Sequence, residues 1–345
     1  MNAPLRILHA IRSDGFAGVE QFVLRLATAQ ASDGHRVAVV GGATDRMKPS
    51  LAESAIEYEA AARAIEVTRH VRRRAESVDV VNTHMTAADV GAVAALTMRP
   101  GHRPAVVSTR HFAQPRGRIG PIGIDSLIGR HVNAQIAISA TVAAAINGRS
   151  TIVHPGVEPR PRGQLTSRNR SVLMAQRLEP EKHTDIGIRA FAASSLADSG
   201  WALEIAGTGS QLQSLRSLVD TLRLRDSVQF IGFRNDLPDL MGRAGILLAS
   251  CPFEHFGLTV LEAMASGLPV VAADGAGHRE MLEGLDPRSM FPPDDVEAAA
   301  QRLRSLGDDP GGRDALASHA LARQQRDFSL RAQVDETDAV YRSVL

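Results

Sequence analysis

Residues 250–280 read SCPFEHFGLTVLEAMASGLPVVAADGAGHRE, and the rest of the chain is organised around them. Leu258, Leu261, Glu262 and Ala265 recur at helical spacing, so a short helix is predicted to start near Gly257. A helix start offers free backbone N–H groups and a partial positive charge, which suits a phosphate. Gly257 allows close backbone approach to a ligand. At about 1.5 Å per residue, Glu262 falls on the second turn, while Glu254 falls in the loop before the helix. An elongated ligand could meet Glu254, then the N–H groups, then Glu262. A sugar–diphosphate–ribose string has that shape, with hydroxyls at both ends to donate to carboxylates. Spacing alone equally allows an ordinary strand, loop and helix with two solvated glutamates.

The 345 residues suit two domains, each large enough for its own core. Composition is that of an ordinary water-soluble protein, with 44% apolar and 22% charged residues and no apolar run long enough to span a membrane. The start, MNAPLRILHAI, does not read as a signal peptide, and the single Cys251 excludes an internal disulfide framework. A cytoplasmic location is therefore expected. Charge is uneven. Residues 1–165 hold 20 Lys and Arg against 13 Asp and Glu, and residues 166–345 hold 19 against 25. A basic front half is either a set of solvated faces or a surface for an anionic partner, such as the inner face of a membrane. No nucleic-acid partner is expected.

Taken in order, residues 5–11 form a first buried strand, followed by the loop RSDGFAG at 12–18. A helix then carries Val19, Phe22, Val23, Leu26 and Ala27 on one face, and residues 35–40 form a second strand. Glycines in that loop do not match the spaced dinucleotide fingerprint, which disfavours a nicotinamide-dependent oxidoreductase. Glu20 lies in the first helical turn, where the dipole alone explains a carboxylate; a role toward an acceptor substrate is the alternative. Residues 51–76 are read as mostly helical and end in a cluster with Arg69, Arg72 and Arg73 on one face. Strands follow at 78–82, 105–108 and 135–138. His84 and His111 stand at strand ends, where ligands bind in open α/β sheets, although a lone His there is commonly structural. Residues 111–124, with Arg116 and Arg118, are expected to form a mobile loop on the acceptor side.

Residues 155–169 are rich in Pro, Gly and Arg and read as a linker. The pattern then restarts with strands at 171–175, 201–206, 228–231 and 246–249. The final segment, 328–345, is amphipathic. The fold class is thus α/β, with two Rossmann-like layers.

Several of these stretches together resemble the retaining glycosyltransferases of the GT4 family, which have the GT-B fold of two Rossmann-like domains facing a central cleft. Arg177-Leu178 with Lys182 is similar to that family's phosphate-gripping loop, Gly207-Thr208-Gly209 to its AGxG turn, and Phe230 to Phe233 to the strand end beside the base. Glu254-x7-Glu262 around Phe256-Gly257-Leu258 resembles its signature, followed by Ala276-Gly277-x-x-Glu280. In the front half, Ala17-Gly18-Val19-Glu20, Asp79 to His84 and Thr109-Arg110-His111 are similar to acceptor-domain motifs, and His154-Pro155-Gly156-Val157 resembles the turn before the linker.

The resemblance implies an acceptor domain at 1–160, a sugar-nucleotide domain at 170–327, and a tail at 328–345 that packs back on the first. It implies that Arg177 and Lys182 grip the diphosphate with help from backbone N–H groups at Phe256–Leu258. Glu262 would accept from ribose, Glu254 from the transferred sugar, and His111 would lie near that sugar. Gly207 and Phe233 belong to the donor side, and Gly18, Glu20 and His84 to the acceptor side. Retention of configuration is implied, with front-face attack and no metal or other cofactor. A UDP-sugar is favoured, GDP-mannose is the alternative donor, and the acceptor is lipid-linked, oligosaccharide or natural product. A catalytically silent binding partner of the same fold is the competing possibility, against which the intact Arg177, Lys182, Glu254 and Glu262 set speaks. The chain departs from the family pattern at His183 and His255, which stand where glycine is usual, and at Ser250-Cys251, which replaces Pro-Ser.

Overall fold

The computed structural model describes residues 3–97, 101–160 and 168–345. The chain divides into two compact units, residues 1–156 with 330–345, and residues 157–329.

The first unit is built on a seven-stranded parallel sheet in the order Glu57–Glu59, Arg36–Val40, Arg6–Ile11, Val80–His84, Ala105–Arg110, Ala134–Ala137, Thr151–Ile152. Its central strands are buried along almost their whole length because helices cover both faces, with apolar residues in their first halves and polar ones gathered toward their carboxyl ends. The helix Gly18–Ser32 buries Phe22, Val23, Leu26 and Ala27, the face that periodicity predicted, and also Glu20 and Gln30, which it did not. The last helix, Leu330–Arg342, belongs to this unit, and its Val340 and Tyr341 share a core with Leu5, Ile7, Val80 and Val107.

The second unit repeats the arrangement with six parallel strands, ordered Val228–Gly232, Ala202–Ala206, Ser171–Ala175, Ile246–Ala249, Val270–Ala273, Met290–Phe291. In both sheets the chain starts centrally, winds to one edge, then returns across the first strand to fill the other side. The strand order therefore reverses beside the first strand, and loops leaving the carboxyl ends there part to make a crevice.

Three expectations need correction. Residues 51–76 are not mostly helical: after the helix Thr44–Ala52 the chain forms the edge strand Glu57–Glu59 and then the helix Ala64–Arg74. Three residues are too few to show strand alternation, and pairing with Arg36–Val40 creates the strand. The loop at 111–124 is not loosely held. Arg116 is buried, with Nε 2.5 Å from Asp89, Nη1 2.6 Å from Asp125 and Nη2 2.8 Å from Ser108. A short antiparallel hairpin, Arg118–Ile119 with Ile122–Gly123, also folds within it. The unit boundary falls at 156/157, and residues 161–167 of the expected linker lie outside the described residues. The helices Val296–Asp308 and Pro310–Asp327 complete the second unit, and Asp295 and Asp309 mark their starts: each accepts from a first-turn N–H.

Candidate active site

In the second unit the first and fourth strands, Ser171–Ala175 and Ile246–Ala249, pair directly, so the loops 176–183 and 250–257 leave side by side. Side chains zip them together. Ser250 Oγ donates to the Lys182 carbonyl at 3.0 Å, and Cys251 Sγ contacts the Glu181 carbonyl at 3.3 Å. Gln176 Nε2 donates to the same Lys182 carbonyl and to Thr184 Oγ1. The residues that depart from the family's usual Pro-Ser are thus the ones that dock these loops. Cys251 is buried, and burial together with the nearby Glu254 charge pushes its thiol up to about 11, far from a reactive thiolate.

Docking brings Lys182 Nζ into an ion pair with Glu254, both only partly exposed. Burial alone would raise the Glu254 carboxyl, but the Lys182 charge and hydrogen bond outweigh it, and the group sits below its ordinary range. The Glu254 backbone is fixed as well, its carbonyl accepting from Gly277 N–H at 2.9 Å.

The helix predicted from Gly257 runs over Leu258–Ala265 with Gly257 as its N-cap. Gly257 has φ 104°, a left-handed conformation that costs little only for glycine. Thr259 Oγ1 donates to the Ala175 carbonyl at 3.2 Å, which aims the helix start at the end of the first strand. Leu258 opens the helix, where first-turn N–H groups lack intrahelical partners. Glu262 lies one turn further in and is buried. Gly207 lines the same end of the sheet, so close to the Gln176 carbonyl that a Cβ would stand 1.9 Å from it.

Not every expected donor residue converges here. Arg177 is exposed and paired with Glu181 at 2.6 Å rather than with the Lys182–Glu254 pair. Phe256 is buried edge-on against Phe328, so only its backbone can face a ligand. Phe233, by contrast, is 59% exposed beyond the strand Val228–Gly232. His255 is half-buried, its ring edge-on to the exposed Phe253 at 5.5 Å. His183 adopts a left-handed conformation, φ 47°, tethered through Nδ1 to Asp294 at 2.6 Å, which explains how a side chain stands where glycine is usual.

In the first unit a cavity of about 460 Å³ opens at the carboxyl ends of the strands, lined by Arg12, Met85, Arg110, His111, Phe112 and Ile124 among others. His111 lines it, but His84 does not: His84 is completely buried behind His111, its Nδ1 3.0 Å from His111 Nε2. Its Nε2 is 3.1 Å from Nδ1 of His9, whose Nε2 is 2.8 Å from Gln30 Oε1. Burial keeps all three rings neutral, pushing His9 down to about 4, His111 to about 3 and His84 well below its usual value. His9 and Gln30 carried no motif. The only signal was polarity on otherwise apolar faces. Glu20 is buried, and its Oε2 accepts from Ala17 N–H at 2.8 Å, the reciprocal bond of a capped helix that starts at Gly18. The basic helix is partly neutralised, since His70, Arg73 and Arg74 all pair with Glu59.

Comparisons with known proteins bear on the family and the fold. Residues 16–160 match the model for Glycosyltransferase Family 4, and residues 158–323 match that for Glycosyl transferases group 1. The lipopolysaccharide core biosynthesis mannosyltransferase LpsB of Rhizobium meliloti is 27% identical over 65% of this chain and 69% of its own. Alpha-D-kanosaminyltransferase of Streptomyces kanamyceticus is also 27% identical, over 50% of this chain and 45% of its own. The exopolysaccharide phosphotransferase SCO2592 of Streptomyces coelicolor is 38% identical over 44% of this chain, which spans only 16% of that relative. Among solved structures, Anabaena HepE in complex with UDP superimposes with a TM-score of 0.84 at 22% identity, over 98% of this chain and all of that one. The chain belongs to the GT4-type glycosyltransferases, and its fold is GT-B.

Proposed function

We propose that the protein transfers a sugar, with retention of configuration, from a nucleotide diphosphate sugar to a hydroxyl acceptor. The second unit holds the donor and the first unit the acceptor. The observation that carries this is the convergence of Lys182, Glu254, the Leu258 helix start and buried Glu262 at one end of one sheet. Lys182 and the helix N-terminus supply positive charge where the leaving diphosphate becomes more negative as the glycosidic bond breaks. Glu262 accepts from ribose hydroxyls and Glu254 from the transferred sugar, and Phe233 offers its face to the base. Arg177 joins the diphosphate by exchanging Glu181 for phosphate. Because these cations meet the leaving group, the reaction is proposed to need no metal.

A UDP-sugar is the preferred donor, since HepE has been crystallised with UDP and with UDP-glucose. Met85, Phe112 and Ile124 around the cavity, beside Arg12 and Arg110, favour an acceptor with an apolar part and an anionic group, such as a lipid-linked sugar. Among the described residues no helix is long and apolar enough to cross a membrane. Peripheral membrane contact through the basic helix is weakened as a proposal by its pairing with Glu57 and Glu59.

The test is incubation with UDP-, GDP-, ADP- and TDP-sugars, with and without membrane-lipid extract, following nucleotide release. Release with one nucleotide class, unchanged by EDTA, is expected. No release with any donor sinks the enzymatic reading.

A further inference from the structure

The three buried histidines of the first unit form one end of a longer hydrogen-bonded string whose other end lies on the last helix. Gln30 Nε2 donates to Asp338 Oδ1 at 2.9 Å, and Asp338 Oδ2 is 2.6 Å from Nε2 of His35. His35 Nδ1 in turn accepts from the backbone N–H of Leu5 at 2.8 Å. Each joint has only one chemically consistent state. A backbone amide can only donate, so His35 Nδ1 is bare and its proton sits on Nε2, facing the carboxylate. A carboxylate accepts and does not donate, so Gln30 must turn its NH2 group to Asp338 and its oxygen to His9. His9 then carries its proton on Nε2, and its bare Nδ1 accepts from His84 Nε2. His84 Nδ1 is therefore bare and accepts from His111 Nε2.

We infer that Asp338, Gln30, His9 and His84 are positioning residues that lock His111 in its Nε2–H tautomer, presenting Nδ1 as a hydrogen-bond acceptor to a hydroxyl-bearing ligand of the first unit's cavity. His111 lines that cavity, and among the described residues its Nδ1 has no partner within the protein. Phe22, edge-on to the ring at 4.8 Å, restrains it from turning. A ring fixed in this way recognises an O–H that can donate and disfavours a carbonyl or ether oxygen at the same place. Only the identity of that ligand, a hydroxyl of the sugar or acceptor, rests on the proposed transferase reading.

The tautomers are directly readable. In the full chain labelled with 15N-histidine, two-bond 1H–15N correlations distinguish Nδ1–H from Nε2–H rings, and a His111→Gln sample assigns the signals. His111 is expected as Nε2–H; an Nδ1–H form or a mixture overturns the inference. Asp338→Asn gives the sharper result. Leu5 N–H still holds His35 with its proton on Nε2, so the new amide must turn its oxygen to His35 and its NH2 to Gln30. Gln30 must then flip, and His9, His84 and His111 should all invert to Nδ1–H. Transfer should fall roughly tenfold, the value of one lost hydrogen bond, with nucleotide affinity unchanged. An unchanged His111 tautomer in folded Asp338→Asn overturns the inference. Should that variant not fold, Gln30→Leu decides: a mixture of His111 tautomers supports the relay, and a single unchanged tautomer refutes it. Nε2–H rings in a protein that releases no nucleotide would instead refute the transferase reading and leave the relay standing.

Discussion

Glu254 and Glu262 belong to one loop and helix but have different surroundings. Glu254 is engaged with Lys182 and its carboxyl is held below the ordinary range, whereas Glu262 is buried in the helix. The difference predicts separable effects. Glu262→Gln should weaken UDP binding by roughly tenfold or more, since a charge-assisted hydrogen bond contributes about 1.5–3 kcal/mol. Glu254→Gln should bind UDP within a few-fold of the unsubstituted protein but slow transfer by about a hundredfold, as the sugar loses its charged acceptor and Lys182 its partner. Calorimetric titration beside initial-rate measurement separates these outcomes, and equal losses of UDP affinity contradict the assignment. Both glutamates were singled out in the sequence by their spacing around Gly257, and the family resemblance, not the spacing, gave them roles. The Lys182 contact was not, because it joins loops 72 residues apart that only the sheet brings together.

At the scale of elements, the segment after Ala105–Arg110 is decided by one side chain. Arg116 sits between Asp89 on the helix Thr86–Thr97 and Asp125 at the start of Ile124–Ile128, and it pins the chain that covers the cavity. Removing one member of such a group leaves buried charge uncompensated, which typically costs about 3–5 kcal/mol. Arg116→Ala should therefore lower the unfolding free energy measured by urea titration by an amount of that order. Arg118→Ala, whose exposed side chain bonds the nearby Pro121 carbonyl, should change that free energy by under about 0.5 kcal/mol. Similar midpoints for the two variants would contradict the latch. The sequence showed both arginines as equivalent loop cations. Burial alone distinguishes them, and burial depends on Asp89, which sits unmarked in an apolar helix.

At the scale of the whole molecule, burial of uncharged histidines couples stability to pH. His9 and His111 are pushed down to about 4 and about 3, and His84 and His278 are lowered as well, in each case foremost by burial. Their unfolded forms bind protons from about pH 6.5 downward, so below that pH the unfolded chain holds more protons and stability falls. Carboxylates such as Asp79, held low by its hydrogen bond to Arg6, add to the loss at the acidic end. Urea midpoints should be nearly level from pH 7 to 8. Below pH 6.5 they should fall, as the unfolding free energy declines by on the order of 1 kcal/mol per pH unit for each buried histidine. A midpoint that rises between pH 7 and 5 would exclude this. By itself the sequence determined two α/β layers, the helix at Leu258, the restart near Ser171 and the family, because strand runs, helical faces and glycine turns are set by neighbours along the chain. Only the tertiary structure decided which polar residues meet: Lys182 with Glu254, Arg116 with Asp89, and His111 through His84, His9 and Gln30 with Asp338. Those meetings join positions up to 308 residues apart, and parallel-sheet winding together with the packing of the last helix on Gly18–Ser32, neither of which has a local signature, makes them neighbours.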